Sequence, residues 1–129
     1  MDWITNNSMR MTEKSLDYVW QRQRVISENI ANSETPGYKA KYISFENELK
    51  ARLTAAPAGV RRRDYIKDAV NNSHFYTHTT KNETMRLDGN NVNVDAENVE
   101  LARAQLQYEY LIRQINDQFS RLKTVIEGR

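Results

Sequence analysis

Two long stretches free of glycine and proline, one near each end, constrain this chain more than any other feature. From about Ser8 to Asn32 the heptad positions read Met9, Leu16, Gln23 and Ile30 in one register and Thr12, Val19 and Ile26 in the other; five of these seven are apolar. From Ala96 to Glu127 they read Leu101, Tyr108, Ile115 and Leu122, with Ala104, Leu111, Gln118 and Val125 in the second register. Seven of these eight are apolar, and Ile112, Phe119 and Ile126 widen the seam on one side. A repeat of seven gathers side chains into one stripe of an α-helix, as bundle and coiled-coil helices require. Asp95 is placed to cap the second helix, Glu97 and Glu100 complement its positive start, and Arg121, Lys123 and Gly128 suit its end.

The length of that helix sets the shape. Its 32 residues span about 48 Å, whereas a compact globule of this chain length has a radius of gyration of about 14 Å. The sequence therefore predicts a mainly α, elongated molecule whose terminal helices pack as a coiled-coil-like pair and whose surplus apolar surface meets other subunits. Its 129 residues suit about one structural unit. Within it, residues 1–53 hold the N-terminal helix, a turn and a short second helix, residues 54–94 a loop-rich middle, and residues 95–129 the C-terminal helix.

The middle is poor in core residues. Between residues 54 and 91 only Val60, Ile66, Val70, Phe75 and Leu87 are strongly apolar. Phe45, Leu49 and Leu53, spaced by four, predict a short amphipathic helix after Ser44, and the residues around Met85 to Leu87 and Val92 to Val94 read as short extended pieces. Thr54 to about Asn82 reads as loop, partly extended or disordered. The basic excess lies in one short segment containing Arg52, Arg61, Arg62 and Arg63, in a chain of formal charge +2.

Few chemistries fit this composition. Without cysteine there are no disulfides, thiolate zinc sites, iron–sulfur clusters or cysteine nucleophile. No apolar run approaches the roughly 18 residues of a membrane helix, and the first eight residues lack the basic start and apolar stretch of a cleaved secretory signal. His74 and His78 have a spacing used for zinc on a helix, but the residues between them favour extended structure and no third ligand is near. Asp88-Gly89-Asn90-Asn91 invites comparison with a calcium loop, yet Val92 and Val94 break the required alternation of oxygen ligands, so a turn is the better reading. The triple arginine with Tyr65 reads as a solvated loop or protein contact rather than a nucleic-acid site. No phosphate loop, catalytic triad or assignable carboxylate pair is present, so neither a cofactor nor a small-molecule substrate is expected. Trp3, Tyr18 and Trp20 read as packing residues, and Gln23 and Gln118 as polar interruptions that fix register or lie at the surface.

One segment is more specific. Glu28-Asn29-Ile30-Ala31-Asn32-Ser33-Glu34-Thr35-Pro36-Gly37-Tyr38-Lys39-Ala40 is a helix exit in which Asn32 can take unusual backbone angles and Thr35 to Tyr38 suits a type II turn. Placed after an N-terminal heptad helix and paired with a C-terminal one, this arrangement resembles the signature of the bacterial flagellar rod and hook protein family. A second segment, Arg86-Leu87-Asp88-Gly89-Asn90-Asn91-Val92, and the ending from Phe119 to Ile126 are most similar to the short, proximal-rod members, since longer relatives carry inserted domains that 129 residues cannot hold. Asn71 to His74 and the triple arginine match no motif of the family.

The resemblance implies a non-catalytic structural subunit of the proximal rod, the drive shaft that carries torque from motor to hook. It also implies export through the flagellar type III apparatus without a cleaved signal, and a place in the periplasmic part of the basal body. Implied partners are other copies, other proximal rod proteins, the rod–export-gate adaptor and the membrane ring, with no nucleic acid. The competing reading is a cytoplasmic coiled-coil adaptor or chaperone-like helical hairpin, which would carry the heptads without the two motif segments.

Overall fold

The computed structural model describes residues 7–59, 61–81 and 86–128. In chain order it contains α1 (Asn7–Ala31), β1 (Lys41–Ser44), α2 (Glu46–Thr54), α3 (Arg62–Asn71), β2 (Tyr76–Thr79) and α4 (Val94–Glu127). The two terminal helices lie where the heptads place them and pack against each other within one chain. They run antiparallel. Ile26 and Ile30, late in α1, meet Leu101 and Ala104, early in α4, while Gln118, late in α4, reaches Ser8 and Thr12. Val19, Ile26 and Ala104 form the buried centre of the seam, with Leu101, Leu111 and Tyr18 packed around it. Ala104 is fully buried, and its single methyl is what allows the two backbones to approach there.

The lengths differ. At 1.5 Å per residue the 34 residues of α4 span about 51 Å and the 25 of α1 about 37 Å. Beyond Gln118, α4 continues for nine more residues past the level of Ser8. The seam is therefore not buried uniformly: Leu111, Ile115 and Leu122 are half-buried, Tyr108 is borderline exposed, and Val125 and Ile126 project into solvent. The periodicity marks the apolar stripe correctly, but α1 covers only part of it.

The start of α4 also differs from expectation. Asn93, not Asp95, is the N-cap, its side-chain oxygen accepting the Ala96 N–H at 3.2 Å, and Asp95 falls inside the first turn. At the other end Gly128 takes a left-handed φ of 65° and closes the helix on Thr124, as its position suggests.

The middle is more ordered than its composition predicts. The stretch read as loop contains α3 and β2, and the strands fall at Lys41–Ser44 and Tyr76–Thr79 rather than near Val92. Residues 86–89 form a turn and 90–93 are irregular, while Met85 lies outside the described residues. The low density of apolar residues misleads because the core here is shared between segments. Ile66, Val70 and Phe75 from the middle pack on Phe45 and Leu49, with Met11 and Tyr18 of α1 completing the cluster. Tyr18, Phe45 and Phe75 meet as an aromatic trio with ring centroids 5.1 to 5.9 Å apart. Phe45 flanks α2 at its N-cap instead of lying within it, and Leu53, expected on its buried face, is exposed.

β1 and β2 pair antiparallel, Lys41 opposite Thr79 and Ser44 opposite Tyr76. The ribbon lies against α1 through the buried Ile43, and its outward face carries Tyr42 stacked on His78 at 5.1 Å. Two strands alone are marginal in water. Asn29 of α1 and Asn91 hold this pair in place through hydrogen bonds to Lys41 and Ala40.

Candidate assembly site

The two motif segments, about fifty residues apart, meet in space. Thr35 to Tyr38 forms the predicted turn: the Tyr38 N–H bonds the Thr35 carbonyl at 3.2 Å, and Gly37, in the third position, has φ 74°. Against it lies the second turn, closed by the Gly89 N–H on the Arg86 carbonyl at 3.1 Å, with Gly89 at φ 77°. A Cβ built on Gly89 would lie 3.5 Å from the Gly37 Cα, so the two turns touch through their glycine backbones. The Gly37 N–H donates to the Asp88 carbonyl at 2.6 Å, and the Asn91 N–H to the Tyr38 carbonyl at 3.2 Å.

Side chains complete the clasp. Asn90, fully buried, donates its amide to the carbonyls of Asn32 at 2.8 Å and Thr35 at 2.9 Å, and its side-chain oxygen accepts the Val92 N–H at 2.8 Å. One side chain thus ties together the exit of α1, the start of the first turn and the chain leading into α4, adding a second bond to carbonyls that already accept the N–H groups of Thr35 and Tyr38. Asn91 accepts the Ala40 N–H at 2.6 Å and donates to the Thr80 hydroxyl, which donates in turn to the Ala40 carbonyl. The Lys39 ammonium donates to the Gly89 carbonyl at 2.6 Å, and Arg86 reaches the Ser33 carbonyl, Asp88 and Glu34.

Asn29 holds the strand side. From inside α1 its amide donates to the Lys41 carbonyl at 2.7 Å while its oxygen accepts the Lys41 N–H at 2.9 Å and the Tyr38 hydroxyl at 3.2 Å. It thereby occupies the backbone groups that β1 turns away from β2, as a neighbouring strand would. Burial, with Glu28 and Glu97 nearby, raises the Tyr38 phenol above its ordinary pKa. Burial is also the main cause raising Glu97, opposed by its hydrogen bond from Asn29 and assisted by the charge of Glu100.

Asn29, Asn32, Thr35, Gly37, Tyr38 and Lys39 thus stand in one network with Arg86, Asp88, Gly89, Asn90 and Asn91. Others of the motif residues do not: Ala31, Pro36 and Leu87 are exposed, and Ile30 belongs to the helix seam. Asn32 keeps ordinary angles, since among the described residues only glycines have positive φ. It contributes its side chain instead, bonded to the Glu28 carbonyl and accepting from Thr35. The spacing of the motifs gave no signal for Thr80, because its bonds to Ala40 and Asn91 depend on the β1–β2 register. The adjacent pair Asn90-Asn91 was a signal for two side chains facing opposite ways.

The helix seam carries its own polar determinants. Gln118 donates to Ser8 and Thr12, which makes it a register contact, whereas Gln23 is half-buried. Near the other end, Arg22 pairs with Glu100 and also donates to Gln107 at 3.2 Å. Of the aromatics read as packing residues, Tyr18 packs, Trp20 is largely exposed, and Trp3 lies outside the described residues. Arg61 to Arg63 stand exposed at the start of α3 rather than in a flexible linker.

Comparison with known proteins agrees with this arrangement. Residues 20–39, the last part of α1 and the first turn, match the family described as "Flagella basal body rod protein". The chain is 36% identical to the flagellar basal body rod protein FlgB of Bacillus subtilis over 97% of both chains. It is 32% identical to the FlgB of Borreliella burgdorferi, over 81% of this chain and 84% of that one. With the Escherichia coli FlgB the identity is 28% over 94% of both chains. A match along nearly the whole length, including both turns of the clasp and both terminal helices, shows that the chain belongs to the FlgB family of flagellar basal body rod proteins.

Proposed function

We propose that the chain is a structural subunit of the proximal rod, polymerising through its terminal helices into the shaft that transmits torque from motor to hook. The observation that carries this reading is its near-full-length similarity to FlgB proteins, joined to a fold that leaves apolar helix surface uncovered. The partners are other basal-body rod components: further copies of the chain, the neighbouring proximal rod proteins, the rod–export-gate adaptor and the surrounding membrane ring. The route is the flagellar type III apparatus without a cleaved signal, and the destination is the periplasmic section of the basal body. No helix among the described residues is long and apolar enough to cross a membrane. The clasp positions α1, the strand pair and the start of α4, and the rest of α4 supplies assembly surface. Nothing in this reading requires chemistry from the chain.

The test is location. An epitope-tagged chain that supports swimming should co-purify with isolated basal bodies and label the rod in electron micrographs. A functional tagged chain found only in the cytosol would favour the adaptor reading instead.

A further inference from the structure

A groove of about 700 Å³ runs between α2 and α4, with α1 beneath it. Its floor is Met11, Tyr18 and Phe45, and its walls carry Leu53 from α2 and Leu106 and Tyr110 from α4. Leu106 and Tyr110 are each 68% exposed, a high value for large apolar groups in a chain with so few of them. Elsewhere in the same molecule stands a ridge of matching character. Past the level of Ser8, α4 presents Phe119, Leu122 and Ile126, the i, i+3, i+7 spacing by which an amphipathic helix enters an apolar groove, with Val125 beside them at 74% exposure.

We propose that this groove receives the projecting C-terminal end of α4 from a second copy of the chain. The inference rests on the reading of the chain as a repeating rod subunit and specifies the contact by which one copy holds the next. Three features favour this occupant. The ridge continues the stripe of α4 that already packs on α1, so the surface offered to the second copy is an extension of an existing helix interface. Charges also suit it: Glu46 and Lys50 stand on the α2 side of the groove, while Arg121 and Glu127 accompany the ridge. The tail's own pairs, Arg121 with Asp117 at 2.8 Å and Lys123 with Glu127 at 3.8 Å, are solvent-exposed and weak enough to be exchanged on docking.

Geometry is the third. Groove and ridge lie on one continuous helix, their centres about 20 Å apart along its axis, so a chain cannot fill its own groove. Each copy offers one tail and one groove in different places. Such a contact is heterologous, and where its rotation does not close it builds an open helical filament.

The absence of native cysteine makes the test clean. Leu106 and Val125 are 19 residues apart on one helix, about 28 Å, whereas a disulfide needs Cα atoms within about 7 Å. A bond between cysteines at these positions must therefore join two copies. Differently tagged full-length chains carrying Leu106→Cys or Val125→Cys are co-expressed in the native host, basal bodies are isolated under oxidising conditions, and mixed dimers are counted. The control pairs Val125→Cys with Arg24→Cys on the exposed side of α1. We expect about tenfold or more mixed dimer over the control, the enhancement that a docked geometry gives over chance encounter. Adding Ile126→Asp to the Val125→Cys chain, at an exposed position that folding does not use, should remove that excess.

A mixed yield no higher than the control, or one unmoved by Ile126→Asp, would overturn the docking while chains present in basal bodies leave the rod reading intact. Dominant Leu106–Leu106 dimers would overturn it in favour of a symmetric contact. Chains absent from basal bodies altogether would overturn the rod reading and the docking with it.

Discussion

At the scale of single residues, the molecule depends on asparagines where a larger protein would use apolar core. Asn90 and Asn29 are almost wholly buried, and each bonds backbone from segments distant in sequence. Removing Asn90 strands the buried Val92 N–H and takes one of two bonds from the Asn32 and Thr35 carbonyls, which keep the N–H groups of Thr35 and Tyr38; a stranded buried group costs about 1–3 kcal/mol. Asn90→Ala should therefore lower stability by about 1–3 kcal/mol, read as a lower urea midpoint. Asn90→Asp should be worse, because it turns an acceptor toward the two carbonyls that now receive the amide. Gly37→Ala meets no neighbour, but forces a side chain into the left-handed region at about 1–2 kcal/mol. Replacing Pro36 together with Gly37 should misdirect the chain after α1 and impair swimming; normal motility would show that the turn is dispensable.

Glu97 gives the site a pH dependence whose sign can be worked out. Burial raises its folded-state pKa above the ordinary carboxylate value, so the folded protein binds the proton more tightly than the unfolded chain. Its contribution is favourable below the unfolded pKa and lost as pH rises through the folded one. Glu97→Gln should accordingly raise the urea midpoint at neutral pH, with the advantage shrinking as pH falls toward about 4. An advantage independent of pH would contradict this origin.

At the scale of elements, what could be read in the sequence follows its periodicity. The long helices were legible because seven-residue repeats persist for 25 and 34 residues, whatever their neighbours. The turn at Thr35 was legible because Pro and Gly fix backbone angles locally. α3 and β2 were not, since Ile66, Val70 and Phe75 become core only against Phe45 and Tyr18. Nor was the meeting of the two motifs. Both segments were recognisable separately, but their contact depends on hydrogen bonds between residues about 55 positions apart, and no local pattern encodes those. The cap of α4 was misplaced by two residues because Asn93 and Asp95 are both capping types, and the backbone geometry decides between them. The seam itself makes a direct prediction. Leu111 and Ile115 are half-buried on the face of α4 that packs toward α1, so Leu111→Asp or Ile115→Asp should cost about 2 kcal/mol or more and prevent rod assembly. Normal rods from either variant would contradict the seam's role.

At the scale of the whole molecule, the described residues form an antiparallel helix pair of unequal lengths, clasped where α1 ends and α4 begins. At the clasped end, the exit of α1 and the entry to α4 are fixed to each other by Asn32 and Asn90. Toward the other end, Gln118 makes the last side-chain hydrogen bond from α4 to α1 among the described residues, and α4 runs on with Phe119, Val125 and Ile126 exposed. In the proposed rod the same terminal helices would serve both as fold and as bonding surface, as a filament of repeating subunits requires. The FlgB relatives match along nearly the whole chain, so the likeness extends well beyond the two motif segments.

The most direct measurement is deletion of the gene in its native host, followed by swimming assays and electron microscopy of purified basal bodies. Non-motile cells are expected, with basal bodies that lack the rod above the membrane ring, both defects being repaired by the intact gene and neither by the Leu111→Asp variant. Intact rods and normal swimming in the deletion strain would contradict the rod reading.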